Sequence, residues 1–206
     1  MAIVTEKKDI ANLALLRCGQ TVTIATWPET TTTYGAAMAT LFDHCAAQVL
    51  KAVPWPFARR SAALQYDENL VDPEWLYAYH KPGDMIVPVY LVNPTGTTWV
   101  EFAYENDHIL TNVSPESDGS GPSLRYITNQ AIDPAQVEPS SEFTEALSWK
   151  LAQEYAPAIA GTSSLAEDCR KKYELSIIRA KNAVGKLNKR SLKGLSEGYI
   201  DARWGS

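Results

Sequence analysis

The sequence predicts an α+β protein: a four-helix bundle with a β-rich insertion between helices 2 and 3, followed by an extended C-terminal arm. Three observations carry that expectation. Apolar residues recur at steps of three and four before residue 60 and again after residue 140, the spacing of helices that bury one face. Between these stretches, runs rich in Val, Ile, Tyr, Trp and Thr are interrupted by Pro and Gly, the texture of strands and turns. The charge is also divided. Residues 170–206 carry ten Lys/Arg against three Asp/Glu, out of 19 and 24 in the whole chain, so residues 1–169 are strongly acidic and the end is basic. The domains expected are a discontinuous helical domain (1–60 with 140–190), the β-rich insertion (61–139) and a docking arm (191–206).

The first helix is expected from Thr5, a candidate N-cap, to Cys18, with Ile10, Leu13 and Leu16 on its apolar stripe and Gly19 as its stop. After Trp27-Pro28 and four consecutive threonines, Tyr34, Ala37, Met38, Leu41, Phe42, Cys45 and Val49 mark the second helix. Val53-Pro54-Trp55-Pro56-Phe57 ends it, because each proline lacks a backbone donor and disfavours helical geometry in the residue before it. In the insertion, Met85–Val92 reads as a strand that Pro88 confines to an edge or a bulge. Thr98–Tyr104 and His108–Val113 read as a hairpin turned by Glu105-Asn106-Asp107, and Ser123–Thr128 as a further strand. Residues 114–122 have loop composition.

Helix returns after Pro139, where Ser140 or Ser141 can cap and Glu142 and Glu145 suit the positive end of the helix dipole. Phe143, Leu147, Leu151 and Tyr155 fall four apart, and Pro157 and Gly161 are expected to close that helix. Ser164-Leu165-Ala166-Glu167 offers a capping box for a fourth helix whose stripe runs Leu165, Cys169, Tyr173, Ile177, Ala180, Val184 and Leu187. Beyond it, Gly194, Gly198 and Gly205 argue against stable helix, while Leu192, Leu195, Tyr199, Ile200 and Trp204 are too apolar for an indifferent tail.

Composition narrows the functional classes. No run of eighteen uncharged apolar residues occurs and Met1–Asp9 is charged from Glu6 onward with no long apolar stretch, so no membrane partner is expected, and synthesis in a cytoplasm is. The three cysteines, Cys18, Cys45 and Cys169, lack paired spacing and sit in apolar helical patterns, which predicts buried core thiols in a reducing compartment. No Gly-x-Ser-x-Gly elbow and no phosphate-cradling Gly-Lys-Ser/Thr loop is present. His44, His80 and His108 lack a second ligand at helical or turn spacing. Asp67-Glu68 and Asp72/Glu74 read as solvated acids in a linker, and Trp55, Phe57, Trp75, Tyr77 and Tyr79 as core at the base of the insertion, with Asp84 tying the turn after Pro82-Gly83. The expectation is therefore a non-enzyme: no catalytic residues, no cofactor and no metal.

The order of segments carries a resemblance. Leu16-Arg17-Cys18-Gly19 closes a first helix, and a second runs into Val53-Pro54-Trp55-Pro56-Phe57. Trp75-Leu-Tyr-Ala-Tyr-His-Lys-Pro-Gly-Asp84 holds a Tyr-x-Tyr…Pro-x-Asp pattern, and Glu142-Phe-Thr-Glu-Ala-Leu-Ser-Trp-Lys-Leu-Ala152 precedes the long helix from Leu165. Over residues 5–190 this arrangement resembles the tail tubular protein A, or head-to-tail adaptor (connector), family of short-tailed bacteriophages. The resemblance implies a structural virion protein at the head-tail interface, a ring of twelve copies that joins the portal protein to a tail nozzle protein (tail tubular protein B-like). Genome DNA would pass through its lumen without specific binding during ejection. It also implies that the C-terminal segment reaches the portal.

The arm's own chemistry suits that role. Leu195, Tyr199, Ile200 and Trp204 are candidates to enter apolar portal grooves, and Lys189, Arg190, Lys193 and Arg203 to meet acidic portal surface. The alternative is a DNA-binding packaging or regulatory factor whose basic last helix contacts phosphates without sequence preference. A tail-associated hydrolase with a site in the insertion is a third reading.

Overall fold

The computed structural model describes the backbone of residues 6–93, 99–160 and 163–204, and side chains over 6–93, 100–158 and 164–185. The chain divides into two compact units, Met1–Pro56 with Glu138–Ser206, and Phe57–Val137.

The first unit is helical: α1 (Lys7–Arg17), α2 (Thr33–Ala52), α3 (Ser141–Ala160) and α4 (Ser163–Trp204). Glu6 is the N-cap of α1, and Thr5 lies outside the described residues. The buried face of α1 is Ile10, Ala11, Ala14 and Leu15, one position off the expected stripe, and Leu16 is 64 % exposed. Small alanines occupy the contact, letting α1 approach α3 closely. Gly19 ends the helix at φ 76°, a backbone region that favours glycine. Asn12 then pins the following loop, donating to the Ile24 carbonyl and accepting from its N–H.

Thr32 caps α2 by accepting from the Gly35 N–H, and Met38, Phe42, Cys45 and Val49 are buried as their spacing predicts. Ser140 caps α3 by accepting from Phe143 N–H. Phe143, Leu147, Leu151 and Tyr155 form its buried face, and Pro157 sits inside the helix rather than ending it. α3 is the hub, packing against α1, α2 and α4. Arg17 of α1 clamps it by donating to the Glu145 carbonyl and Ser148 Oγ while stacking 4.1 Å from the Trp149 ring. Trp55 stands edge-on to Phe143 at 5.4 Å and donates its indole N–H to the Val49 carbonyl. Cys18, Cys45 and Cys169 are free and buried, and desolvation raises the first two to about 12, which makes them inert core thiols.

The second unit is a seven-stranded antiparallel sheet of order β4-β3-β7-β1-β2-β6-β5. Its strands are β1 (Arg59–Tyr66), β2 (Tyr77–His80), β3 (Met85–Val92), β4 (Trp99–Val100), β5 (Phe102–Glu105), β6 (His108–Thr111) and β7 (Ser120–Thr128). Met85–Val92 is a strand as expected, and Pro88 sits at a register irregularity against β7, the bulge that a missing donor imposes. The expected hairpin is formed by β5 and β6 around Asn106-Asp107, both at positive φ, which matches the right-handed twist of the strands. The expected strand Thr98–Tyr104 is split. β4 and β5 are consecutive in the chain with only Glu101 between them, yet they occupy opposite edges of the sheet, so the sheet must curl until its edges approach, as in a barrel.

The sheet has its own core of Leu64, Tyr79, Met85, Leu91, Ile109, Leu124 and Tyr126. Tyr79 is fully buried and donates its hydroxyl to the Val113 carbonyl, and Gly121 leaves room for its ring. Asp84 accepts from Tyr126 and Thr128 hydroxyls at 2.8 Å each, so it ties β7 to the start of β3 as well as holding its own turn.

These observations correct the predicted fold class. The chain is not a four-helix bundle bearing a β-rich insertion: it pairs a helical unit organised on α3 with a curled antiparallel sheet that has its own core. Strand pairing such as β1 with β7, some sixty residues apart, leaves no local periodicity to read. The extended arm is corrected too, since α4 continues as helical backbone to Trp204. Once nucleated, a helix propagates at small cost per residue, and Leu192, Leu195 and Tyr199 keep helical spacing across the glycines.

Candidate functional site

Two places gather chemistry that the core does not use. One is α4. At about 1.5 Å per residue its 42 residues extend about 63 Å, against about 30 Å for the 20 residues of α3, so roughly half of it lies beyond the helix it packs on. Cys169, Ser176, Ile177, Ala180 and Val184 face inward, while Leu175 and Ile178 are 48 % and 55 % exposed. Glu167 is engaged with Arg170, which also reaches Glu174, in a surface ion network. The docking candidates Lys189, Arg190, Lys193, Leu195, Tyr199, Ile200, Arg203 and Trp204 fall on the last turns of α4, and their side chains lie outside the described residues. A groove of about 270 Å³ beside α1, lined in part by Leu13, Leu16 and Val22, is a second apolar surface of the helical unit.

The other place is in the sheet. Asp67 follows the last residue of β1, and its N–H donates to the Ala78 carbonyl of β2. His80 ends β2 and is paired across the ladder with His108, the first residue of β6. One residue from each of three adjacent strand ends therefore meets at one corner. Asp67 Oδ2 is 3.1 Å from His108 Nε2 and 3.7 Å from His80 Nε2, and the two imidazole rings are 5.3 Å apart, centre to centre. The ligand atoms of all three lie within 4.8 Å of one another.

Each side chain is oriented by a partner. Asp67 Oδ1 accepts from the Asn69 backbone and side-chain N–H groups, which turns Oδ2 toward the histidines. These bonds, the Asn69 backbone first, hold the Asp67 carboxyl below its ordinary range, with His108 and His80 adding to the effect against the opposing cost of burial. His108 Nδ1 lies 2.8 Å from the Asn106 carbonyl, and a carbonyl only accepts, so Nδ1 carries the proton. The left-handed turn at Asn106-Asp107 is what brings that carbonyl back onto the ring. Lys81 beside the cluster is paired with Asp107 at 2.8 Å.

Sequence spacing did not reveal this group. His80 and His108 have no local companion, and Asp67, expected as a solvated linker acid, has a side chain only 14 % exposed. The one available signal was that His108 opens the expected hairpin. His44, the third histidine, stands apart on α2 with Gln48. Among the described residues, no helix is long and apolar enough to cross a membrane. No family model matches the chain, and no curated protein matches it.

Proposed function

We propose that the chain is a structural virion protein, one subunit of a head-to-tail adaptor ring that joins portal to tail nozzle and extends the DNA channel. The observation that carries this reading is α4: a 42-residue helix, about 63 Å long against about 30 Å for α3, ending in the basic stretch 186–204 that carries Tyr199 and Trp204. A helix of that length with apolar residues at helical spacing needs a second chain to cover it. The portal protein is the partner proposed for Lys189–Trp204. Leu175 and Ile178, three residues apart and exposed, serve contacts between copies in a dodecamer. Val71 and Leu76, 89 % and 73 % exposed in the sheet unit, suit a contact with the nozzle protein. DNA passes through the lumen without specific binding, which the acidic excess of residues 1–169 favours.

The test is light scattering on size-exclusion fractions of the protein mixed with its cognate portal, comparing the full chain with one truncated after Asn188. The truncation leaves the part of α4 that packs on α3 intact. The full chain is expected to form a stoichiometric ring complex, and the truncated chain is expected to remain free. The second reading, a DNA-binding packaging or regulatory factor, rests on the same basic end. It predicts no portal complex and binding to random duplex that weakens steeply with salt.

A further inference from the structure

We infer that Asp67, His80 and His108 form a binding site for a divalent transition-metal ion of the zinc type, independent of the adaptor reading. With Nδ1–H donated to the Asn106 carbonyl, Nε2 is the ring atom left to face Asp67 Oδ2, at 3.1 Å. A carboxylate oxygen only accepts, so a proton on Nε2 or a cation must lie between the two atoms. A proton on Nε2 would satisfy His108 and Asp67 alone. It would leave His80 Nε2, 3.7 Å from the same Oδ2, beyond hydrogen-bond range of the carboxylate it faces.

A metal ion accounts for all three. Zinc bonds to histidine nitrogen and carboxylate oxygen are about 2.0–2.2 Å, which places ligand atoms about 3.3 Å apart around a tetrahedral ion. The observed 3.1 and 3.7 Å bracket that separation. The outer partners are those that metal sites use: a backbone carbonyl fixes the His108 tautomer, and Asn69 fixes the carboxylate. The nearby Lys81 charge is offset by Asp107, so it does not repel a cation. Two imidazoles and one carboxylate select Zn²⁺, Co²⁺ or Ni²⁺ over Mg²⁺ and Ca²⁺, which prefer oxygen alone. His80 is 58 % exposed, so the ion is reached from solvent and keeps an open position for water or an incoming ligand. Its structural effect is to fasten the end of β1 to β2 and β6.

The experiment uses the full chain, stripped with chelator and titrated with CoCl₂ while its visible d–d absorption is followed, then with ZnCl₂ by calorimetry. One equivalent per chain is expected to bind, with the absorption strength of a low-coordinate site. H80A, H108A and D67N should each weaken binding by at least the roughly 100-fold that loss of an outer partner alone can cost. H44A should leave it unchanged. Because H108A alters a half-buried residue, histidine nitrogen spectra of the unmodified protein supply a second readout: Zn²⁺ should shift Nε2 of His80 and His108, and MgCl₂ should not. The inference is overturned if neither Co²⁺ nor Zn²⁺ binds stoichiometrically. It fails equally if binding survives in H80A and H108A, or if Mg²⁺ shifts the same nitrogens.

Discussion

The helical unit and the sheet unit bury comparable kinds of apolar surface but hold it in different ways. In the helical unit the buried positions are set by short-range spacing, with Phe143, Leu147, Leu151 and Tyr155 on α3 meeting stripes of Ile10, Ala14, Phe42, Val49, Ile177 and Ala180. Polar groups there bond mostly to near neighbours along the chain, as in the Ser140 and Thr32 caps and the buried Ser148 and Ser176 hydroxyls, which donate to the Thr144 and Tyr173 carbonyls; the Arg17 clamp is a longer-range bond. In the sheet unit the polar groups of the core find partners across the fold. Buried Tyr79 and Tyr126 bring hydroxyls inside, and each finds an acceptor far away in sequence, the Val113 carbonyl and the Asp84 carboxylate. The comparison teaches that the helical unit depends on volume, whereas the sheet depends on volume and on polar partners arriving together.

The largest expected effect tests the volume side. Phe143→Ala removes the buried ring in the first turn of α3 on which Trp55 stands and should cost about 3–5 kcal/mol. Hydrogen exchange should accelerate in α1, α2 and α3; acceleration confined to the sheet would break the comparison.

Next comes Gly121→Ala. An added Cβ would fall 2.1 Å from the Tyr79 ring, which is fully buried and tethered through its hydroxyl, so the ring has nowhere to retreat. A loss of about 1–3 kcal/mol is expected from overpacking. Denaturant unfolding would measure it, with exchange rising in β1, β3 and β7; an unchanged midpoint would show that the ring is not held as described.

The smallest effect concerns Asp84. Burial pushes its carboxyl up, but bonds from Thr128 and Tyr126 outweigh that and hold it below its ordinary value. A depressed folded pKa contributes stability that is present above the unfolded value, about 3.9, and lost as pH falls through the folded one. Stability of the native chain should therefore decline on acidification below about pH 4. Asp84→Asn should lower stability at neutral pH by about 1 kcal/mol and flatten that acid limb. An identical acid limb in the variant would remove Asp84 from the account.

The same division explains what could be read from residues alone. Helix α2, the Phe143 face and strand Met85–Val92 follow from neighbours within a few turns or one strand, and so does the positive-φ turn at Asn106-Asp107. The stripe of α1 was misread by one position because alanines, not leucines, make its contact. β1 and β2 escaped notice because Arg59–Tyr66 and Tyr77–His80 carry mixed polar and aromatic residues whose alternation is weak.

By itself the sequence determined the stripes of α2 and α3 and the Ser140 cap, the buried cysteines, and the segregation of charge toward the C-terminus, since each depends on residue type and spacing along one element. Only the tertiary structure decided that the sheet is a unit with its own core, that β4 and β5 lie on opposite edges, and that Asp67 meets His108 from 41 residues away. Ladder partners are selected by closure of the whole sheet and the packing of its two tyrosines, and that selection is a property of the assembled chain rather than of any segment.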